Sequence, residues 1–114
     1  MTKVYLTQKG SFTASHGHDG TLAEGTHAHR FVYEVTFYGP LNKEGYLLDF
    51  REVKKALSSI VSPLKGKDLN KLFTNPTTET LCLWIYAEVT KKLPHLHSVK
   101  LAEAPDRWIV YKGE

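Results

Sequence analysis

The chain reads as an α+β domain, a four-stranded antiparallel sheet with two helices packed on one face, in the order ββααββ. Three observations predict it. Two runs with period-two alternation open the chain, two segments with apolar residues at helical spacing occupy its middle, and a hairpin-like pattern closes it. Strands gathered at both ends around a helical middle point to segregated layers, not to alternating parallel units. Residues 1–114 are long enough for one domain with one core.

The elements follow in order. Lys3-Val-Tyr-Leu-Thr passes through Gly10 into Ser11-Phe-Thr-Ala-Ser15, giving two strand pieces or one bent strand with a bulge at Gly10. Residues 17 to 26, rich in Gly, Asp and Thr, form a loop. The second strand covers about Thr26 to Tyr38, with Phe31, Val35 and Phe37 on the face of His27 and His29, and Arg30, Glu34 and Thr36 opposite. Gly39 to Gly45 is a turn region. Asp49 is an N-cap with Glu52 at capping-box spacing, and Phe50, Val53, Leu57 and Ile60 make one apolar helix face that Pro63 ends.

Residues 65 to 70 carry no periodicity. A second helix is expected from Asn75-Pro76, with Asn75 as cap. Leu81, Ile85, Val89 and Leu93 form its apolar face, Trp84 and Tyr86 widen it, and Pro94 stops it. His95 and His97 fall in the loop that follows. The segment from His97 to Lys112 is a hairpin turning at Pro105-Asp106, with Val99, Leu101 and Glu103 on one face. A sheet this small leaves two edges unpaired, and self-association around a ring would cover them.

Composition narrows the function classes. The 15 basic against 12 acidic residues leave a net charge of +3, spread over short pairs such as Lys54-Lys55 and Lys91-Lys92. Dispersed lysines describe solvated faces and argue against a nucleic-acid partner, while suiting a small anionic substrate. The one cysteine, Cys82, cannot form an internal disulfide and sits in Leu81-Cys-Leu-Trp-Ile as a small buried hydrophobe. No leader is expected from Met1-Thr-Lys, and no apolar run reaches membrane-spanning length. A cytoplasmic protein without membrane contact is expected.

Four of the six histidines cluster as His16, His18, His27 and His29. His27 and His29 share one strand face by parity, and His16 follows Phe12 and Ala14 on one face of the neighbouring strand. Two strand ends could thus supply three imidazoles to one cation, and three protein nitrogens with an open fourth position describe a catalytic zinc. The same spacing also fits scattered surface histidines. His18 has the parity of His16, but Gly17 and Asp19-Gly20 break the strand there, so His16 is the preferred third ligand. Glu103, at the end of an apolar strand face, either reaches solvent or receives donors from a ligand.

These residues together resemble the 6-pyruvoyl-tetrahydropterin synthase and 6-carboxytetrahydropterin synthase family over nearly the full length. The resemblance rests on Phe12-Thr-Ala-Ser-His16, His27-Ala-His29, Leu48-Asp49-Phe50, Asp68-Leu-Asn70, Pro76-Thr-Thr-Glu79, Glu103 and Val110-Tyr-Lys-Gly-Glu114. It implies the tunnelling fold, with trimers closing a barrel and stacking in pairs as hexamers, and pockets between subunits. It implies zinc on His16, His27 and His29, and a pterin held by Glu103 with Thr78 and Glu79 bordering it. The pterin amino group and ring N–H offer two parallel donors to the two carboxylate oxygens. Glu79 suits the first turn of a helix equally well. The reaction implied is elimination of triphosphate from 7,8-dihydroneopterin triphosphate, with rearrangement or cleavage of the substituent that carried it. Its catalyst would be a zinc-dependent carbon–oxygen lyase.

The sequence departs from that family in two places. No cysteine precedes His27, where better-known branches carry one as base or nucleophile. Glu24 is the nearby carboxylate, and branches with glutamate there cleave the substrate to a hydroxymethylpterin. Glu24 is read as either that base or an exposed loop acid. The family's Asp-His pair aligns with Lys65-Gly66, so its proton relay is missing.

Overall fold

The computed structural model describes residues 2–17 and 27–114. Strands β1 (Lys3–His16), β2 (His27–Pro40), β3 (Leu96–Ala104) and β4 (Arg107–Tyr111) form one antiparallel sheet in the order β1-β2-β3-β4. Helices α1 (Phe50–Val61) and α2 (Thr78–Lys92) pack on it, α1 against β1 and α2 against β3 and β4. The ββααββ order and the α+β class therefore stand as the sequence predicts.

Alternation places the core. Phe31, Tyr33, Val35 and Phe37 of β2 are buried with Leu6, Phe12 and Ala14 of β1, and with Val99 and Leu101 of β3. These residues face the helices, while the intervening ones form the opposite, helix-free face. Helix α1 starts where expected, because Asp49 Oδ1 accepts the Arg51 N–H at 2.8 Å. Leu81, Cys82, Ile85 and Val89 carry the buried side of α2.

Several expectations need correction. β1 is a single strand with unbroken register from Lys3↔Pro40 to His16↔His27, so there is no bulge at Gly10. Gly10 is required for another reason: a Cβ there would lie 2.2 Å from the hydroxyl oxygen of Tyr33, its cross-strand partner. Phe50 is 62 % exposed and does not join the core face. At the first helical position a side chain leans back toward the preceding segment, and Phe50 borders an apolar groove with Leu41 and Tyr46 there.

The cap of α2 is Thr77, not Asn75. Its hydroxyl accepts the Thr80 N–H at 3.1 Å, which keeps Pro76 outside the helix. The aperiodic segment after α1 contains a 3-10 turn at Leu69–Lys71 and docks on β1. Its Lys67 carbonyl accepts the Ser15 N–H at 2.9 Å, and its Gly66 N–H donates to the Thr13 carbonyl at 2.7 Å. His97 belongs to β3 instead of a free loop, with its ring edge-on to Tyr5 at 5.3 Å. His95 takes a left-handed φ of 67° at the entry to β3, where its carbonyl accepts the Tyr38 N–H at 2.9 Å. No helix among the described residues is long and apolar enough to cross a membrane.

Candidate functional site

The site begins with register. His16 stands opposite His27 at the paired ends of β1 and β2, and Ala14 stands opposite His29. Cross-strand partners share a face, so His16, His27 and His29 all project from the helix-covered side. The His16 and His29 ring centroids are 4.9 Å apart, and those of His27 and His29 are 6.4 Å apart. The shared face expected from spacing is present.

His16 is held firmly. It is 2 % exposed, and its Nδ1 lies 2.6 Å from the Pro76 carbonyl oxygen. A carbonyl can only accept, so Nδ1 carries the proton and Nε2 presents its lone pair. Such an outward hydrogen bond is how a ligating imidazole is oriented. The backbone beyond His16 is clamped as well: Asn70 Oδ1 accepts the Gly17 N–H at 2.6 Å and Asn70 Nδ2 donates to the Gly17 carbonyl at 2.9 Å. Asn70 is itself placed by Asp68, whose Oδ1 accepts the Asn70 N–H at 3.1 Å.

Glu103 completes the cluster from β3. Its Oε2 lies 3.5 Å from Nε2 of His16 and 3.5 Å from Nε2 of His29. Its Oε1 accepts the hydroxyl of Thr78, 5 % exposed at the start of α2, at 3.0 Å. Arg107 Nε stands 4.0 Å from the same oxygen. The ligand atoms of His16, His29 and Glu103 lie within 4.8 Å of one another, close enough to share one cation. Two imidazole nitrogens, a carboxylate and a third imidazole beside them form a donor set suited to a borderline divalent metal.

Electrostatics follow from this packing. Burial lowers the His29 pKa from its ordinary 6.5, and the neighbouring His16, His27 and Arg107 charges lower it further, outweighing the attraction of Glu103. Burial alone would raise the Glu103 pKa. The Thr78 hydrogen bond and the His29, His16 and Arg107 charges outweigh that and hold it below the usual carboxylate value of 4.5. His29 is therefore held toward the neutral imidazole and Glu103 toward the ionised carboxylate, the forms that bind metal or accept hydrogen bonds.

Beside Glu103 is a recess of about 140 Å³ lined by Thr78, Glu79, Arg107, Trp108 and Ile109. It brings together the three residues that the resemblance implies for a pterin, with Glu79 exposed at its rim. Glu24 and His18 lie outside the described residues. Sequence reasoning missed the Pro76 carbonyl, the Asn70 clamp and Arg107, and it did not anticipate how close Glu103 comes to the histidines. The Asp68-Leu-Asn70 capping spacing was the one local signal for the clamp.

Comparison with known proteins places this fold and sequence in a family. A dihydroneopterin monophosphate aldolase of Pyrococcus furiosus is 38 % identical over 92 residues, covering 81 % of this chain and 80 % of that protein. A protein of Archaeoglobus fulgidus named provisionally as a 6-carboxy-5,6,7,8-tetrahydropterin synthase is 32 % identical over 99 residues, covering 86 % of each. The structure of Caenorhabditis elegans 6-pyruvoyl tetrahydropterin synthase superposes with a TM-score of 0.89 at 21 % identity, covering 100 % of this chain and 98 % of that one. It has the same tunnelling fold. The sequence model of the family described as 6-pyruvoyl tetrahydropterin synthase matches residues 5–114, and this chain belongs to that family of pterin synthase and aldolase enzymes.

Proposed function

We propose that this protein is a zinc-dependent lyase that acts on the phosphorylated substituent of 7,8-dihydroneopterin. The observation that carries the reading is the Glu103 carboxylate, braced by Thr78 and set 3.5 Å from Nε2 of both His16 and His29. His16, His27 and His29 would hold the metal, with Glu103 close enough to share it or to face a ligand beside it. A zinc ion bound there supplies Lewis acidity to the oxygens of that substituent.

The protein's own residues do the rest. Glu103, kept ionised, accepts the pterin amino and ring N–H donors on its two oxygens, and the Thr78 hydroxyl fixes the plane of that carboxylate. Thr78 and Glu79 border the ring in the recess at the start of α2. Glu24 is the base that takes a carbon-bound proton from the substituent, a role that requires it within hydrogen-bond reach of that proton. With 7,8-dihydroneopterin triphosphate as substrate the leaving group is triphosphate. The Pyrococcus furiosus relative's name also points to cleavage of a monophosphate substrate. The active form is a homo-oligomer, trimer or hexamer, with pockets between subunits and neither nucleic acid nor membrane as a partner. The protein works in the cytoplasm.

A second reading has its own support. Of Lys65-Gly66, the pair that aligns with the family's Asp-His, Gly66 donates its N–H to the Thr13 carbonyl of β1, and the pair offers neither a carboxylate nor an imidazole. That favours a pterin-binding paralogue that keeps the metal and does not turn over. Incubating zinc-loaded protein with dihydroneopterin triphosphate and, separately, monophosphate, and identifying products by mass, decides between them. Product release that slows by about 10²–10⁴ in Glu24→Gln supports the lyase. Pterin binding with no product supports the paralogue.

A further inference from the structure

The pairing of β3 with β4 slips by one residue at Glu103. Ala102 stands opposite Trp108 and Ala104 opposite Arg107, so Glu103 is the extra residue of β3 between them. Two residues of one strand then face one of the other, which is a bulge, and bulges beside active sites re-aim a side chain. Here the slip sets Glu103 next to Arg107, whose Nε lies 4.0 Å from Glu103 Oε1. Arg107 also lines the recess at the start of α2 with Thr78 and Glu79. Both residues belong to one hairpin, so their spacing does not depend on the surface that an assembled partner covers.

As an ion pair this contact stabilises the fold little, because the guanidinium is 62 % exposed. At 4.0 Å it is also too long to be a hydrogen bond. A guanidinium carries five N–H donors in a rigid fork, and Asp106 Oδ1 takes one of them at 3.3 Å. The ligand edge that Glu103 is read to meet asks for such a donor. That edge of a pterin carries an amino group, a ring N–H and a carbonyl oxygen in a row. Glu103 matches the first two and cannot match the third, because a carboxylate oxygen only accepts. A carbonyl stripped of water and left without a donor would weaken binding. Its donor must stand beside the carboxylate, and Arg107 is the cation that does.

We propose, resting on the pterin reading of Glu103 above, that Arg107 is a specificity-determining residue that donates to the 4-oxo group of the ring. Carboxylate and guanidinium together present acceptor, acceptor, donor to an edge that reads donor, donor, acceptor. The pattern selects 2-amino-4-oxo rings and rejects rings with an amino group at position 4, where two donors would oppose each other.

Calorimetric titration of the zinc-loaded protein with pterin and with 2,4-diaminopteridine tests this. Arg107→Met should weaken pterin binding by about ten-fold or more, the loss of a hydrogen bond to a charged group. The same change should leave 2,4-diaminopteridine binding unchanged or tighter, since it removes a donor opposed to the 4-amino group. Arg107→Lys keeps a donor and should recover part of the pterin affinity. An unchanged circular dichroism spectrum checks the fold of each variant. Pterin affinity that is unchanged in Arg107→Met overturns the proposal, and so does a parallel loss for both ligands. Glu103→Ala separates this assignment from the reading beneath it: pterin binding that survives that change overturns the anchor and the assignment with it. No readout requires turnover, so a protein that binds pterin without converting it is tested in the same way.

Discussion

The carbonyl oxygen of Pro76 stands 2.6 Å from Nδ1 of His16, sixty positions away in sequence. That contact depends on where α2 begins, because Thr77 caps the helix and leaves Pro76 outside it. Thr77→Ala should cost about 1 kcal/mol of stability, the usual value of an N-cap, and lower the melting temperature by roughly 4–8 °C. It should also loosen His16 and weaken zinc binding by about ten-fold, in line with loss of an orienting partner. Thermal melts and a competition titration with a zinc chelator measure the two effects.

Purified protein should carry about one zinc per subunit, and His16→Ala or His27→Ala should empty the site. Elemental analysis reads this directly. Full occupancy in His27→Ala would restrict the metal to His16, His29 and Glu103, the three whose ligand atoms lie within 4.8 Å.

Thr78→Val keeps the volume of a buried residue and removes the hydroxyl that donates to Glu103 at 3.0 Å. The carboxylate loses one of the contacts that lower its pKa, and its plane is no longer fixed. Pterin affinity should fall by about ten-fold, corresponding to one hydrogen bond to a charged group. Calorimetric titration with a pterin checks this, and an unchanged affinity would remove Thr78 from the binding set.

The metal-free protein should gain stability as pH rises toward and through 6.5, the ordinary value from which His29 is lowered. The unfolded state binds a proton in that window that the folded one does not, so raising the pH favours the fold. Glu103 acts in the same direction at lower pH: its folded value lies below 4.5, and its contribution is lost as pH falls through that folded value. Urea midpoints of chelator-treated protein across this range should rise with pH, and His29→Gln should flatten the upper part.

Cys82 is fully buried, and burial pushes its thiol up to about 11. Its Sγ donates to the Val99 carbonyl at 3.4 Å, which ties α2 to β3. The thiol should not react with a disulfide reagent in the native protein and should react fully in denaturant. Pterin turnover should be the same in Cys82→Ala that remains folded, since this cysteine does not replace the one missing before His27.

Alternation, helical spacing and capping residues are local properties, and they were legible. They placed every strand and both helices, and they put His16, His27 and His29 on one face, since parity follows from strand geometry alone. Where local signals competed, the outcome depended on neighbours. Thr77 displaced Asn75 as the cap because its hydroxyl reaches the Thr80 N–H, and Gly10 serves the Tyr33 ring across the sheet in place of a bulge.

The order of elements, the candidate histidines and the missing cysteine and Asp-His pair were determined by the sequence alone. Only the tertiary structure decided that Glu103 comes within 3.5 Å of two imidazoles and that Pro76 orients His16. These depend on register and helix docking between segments far apart in sequence. Such contacts arise from packing a shared core, and no short-range pattern of residues encodes their distances.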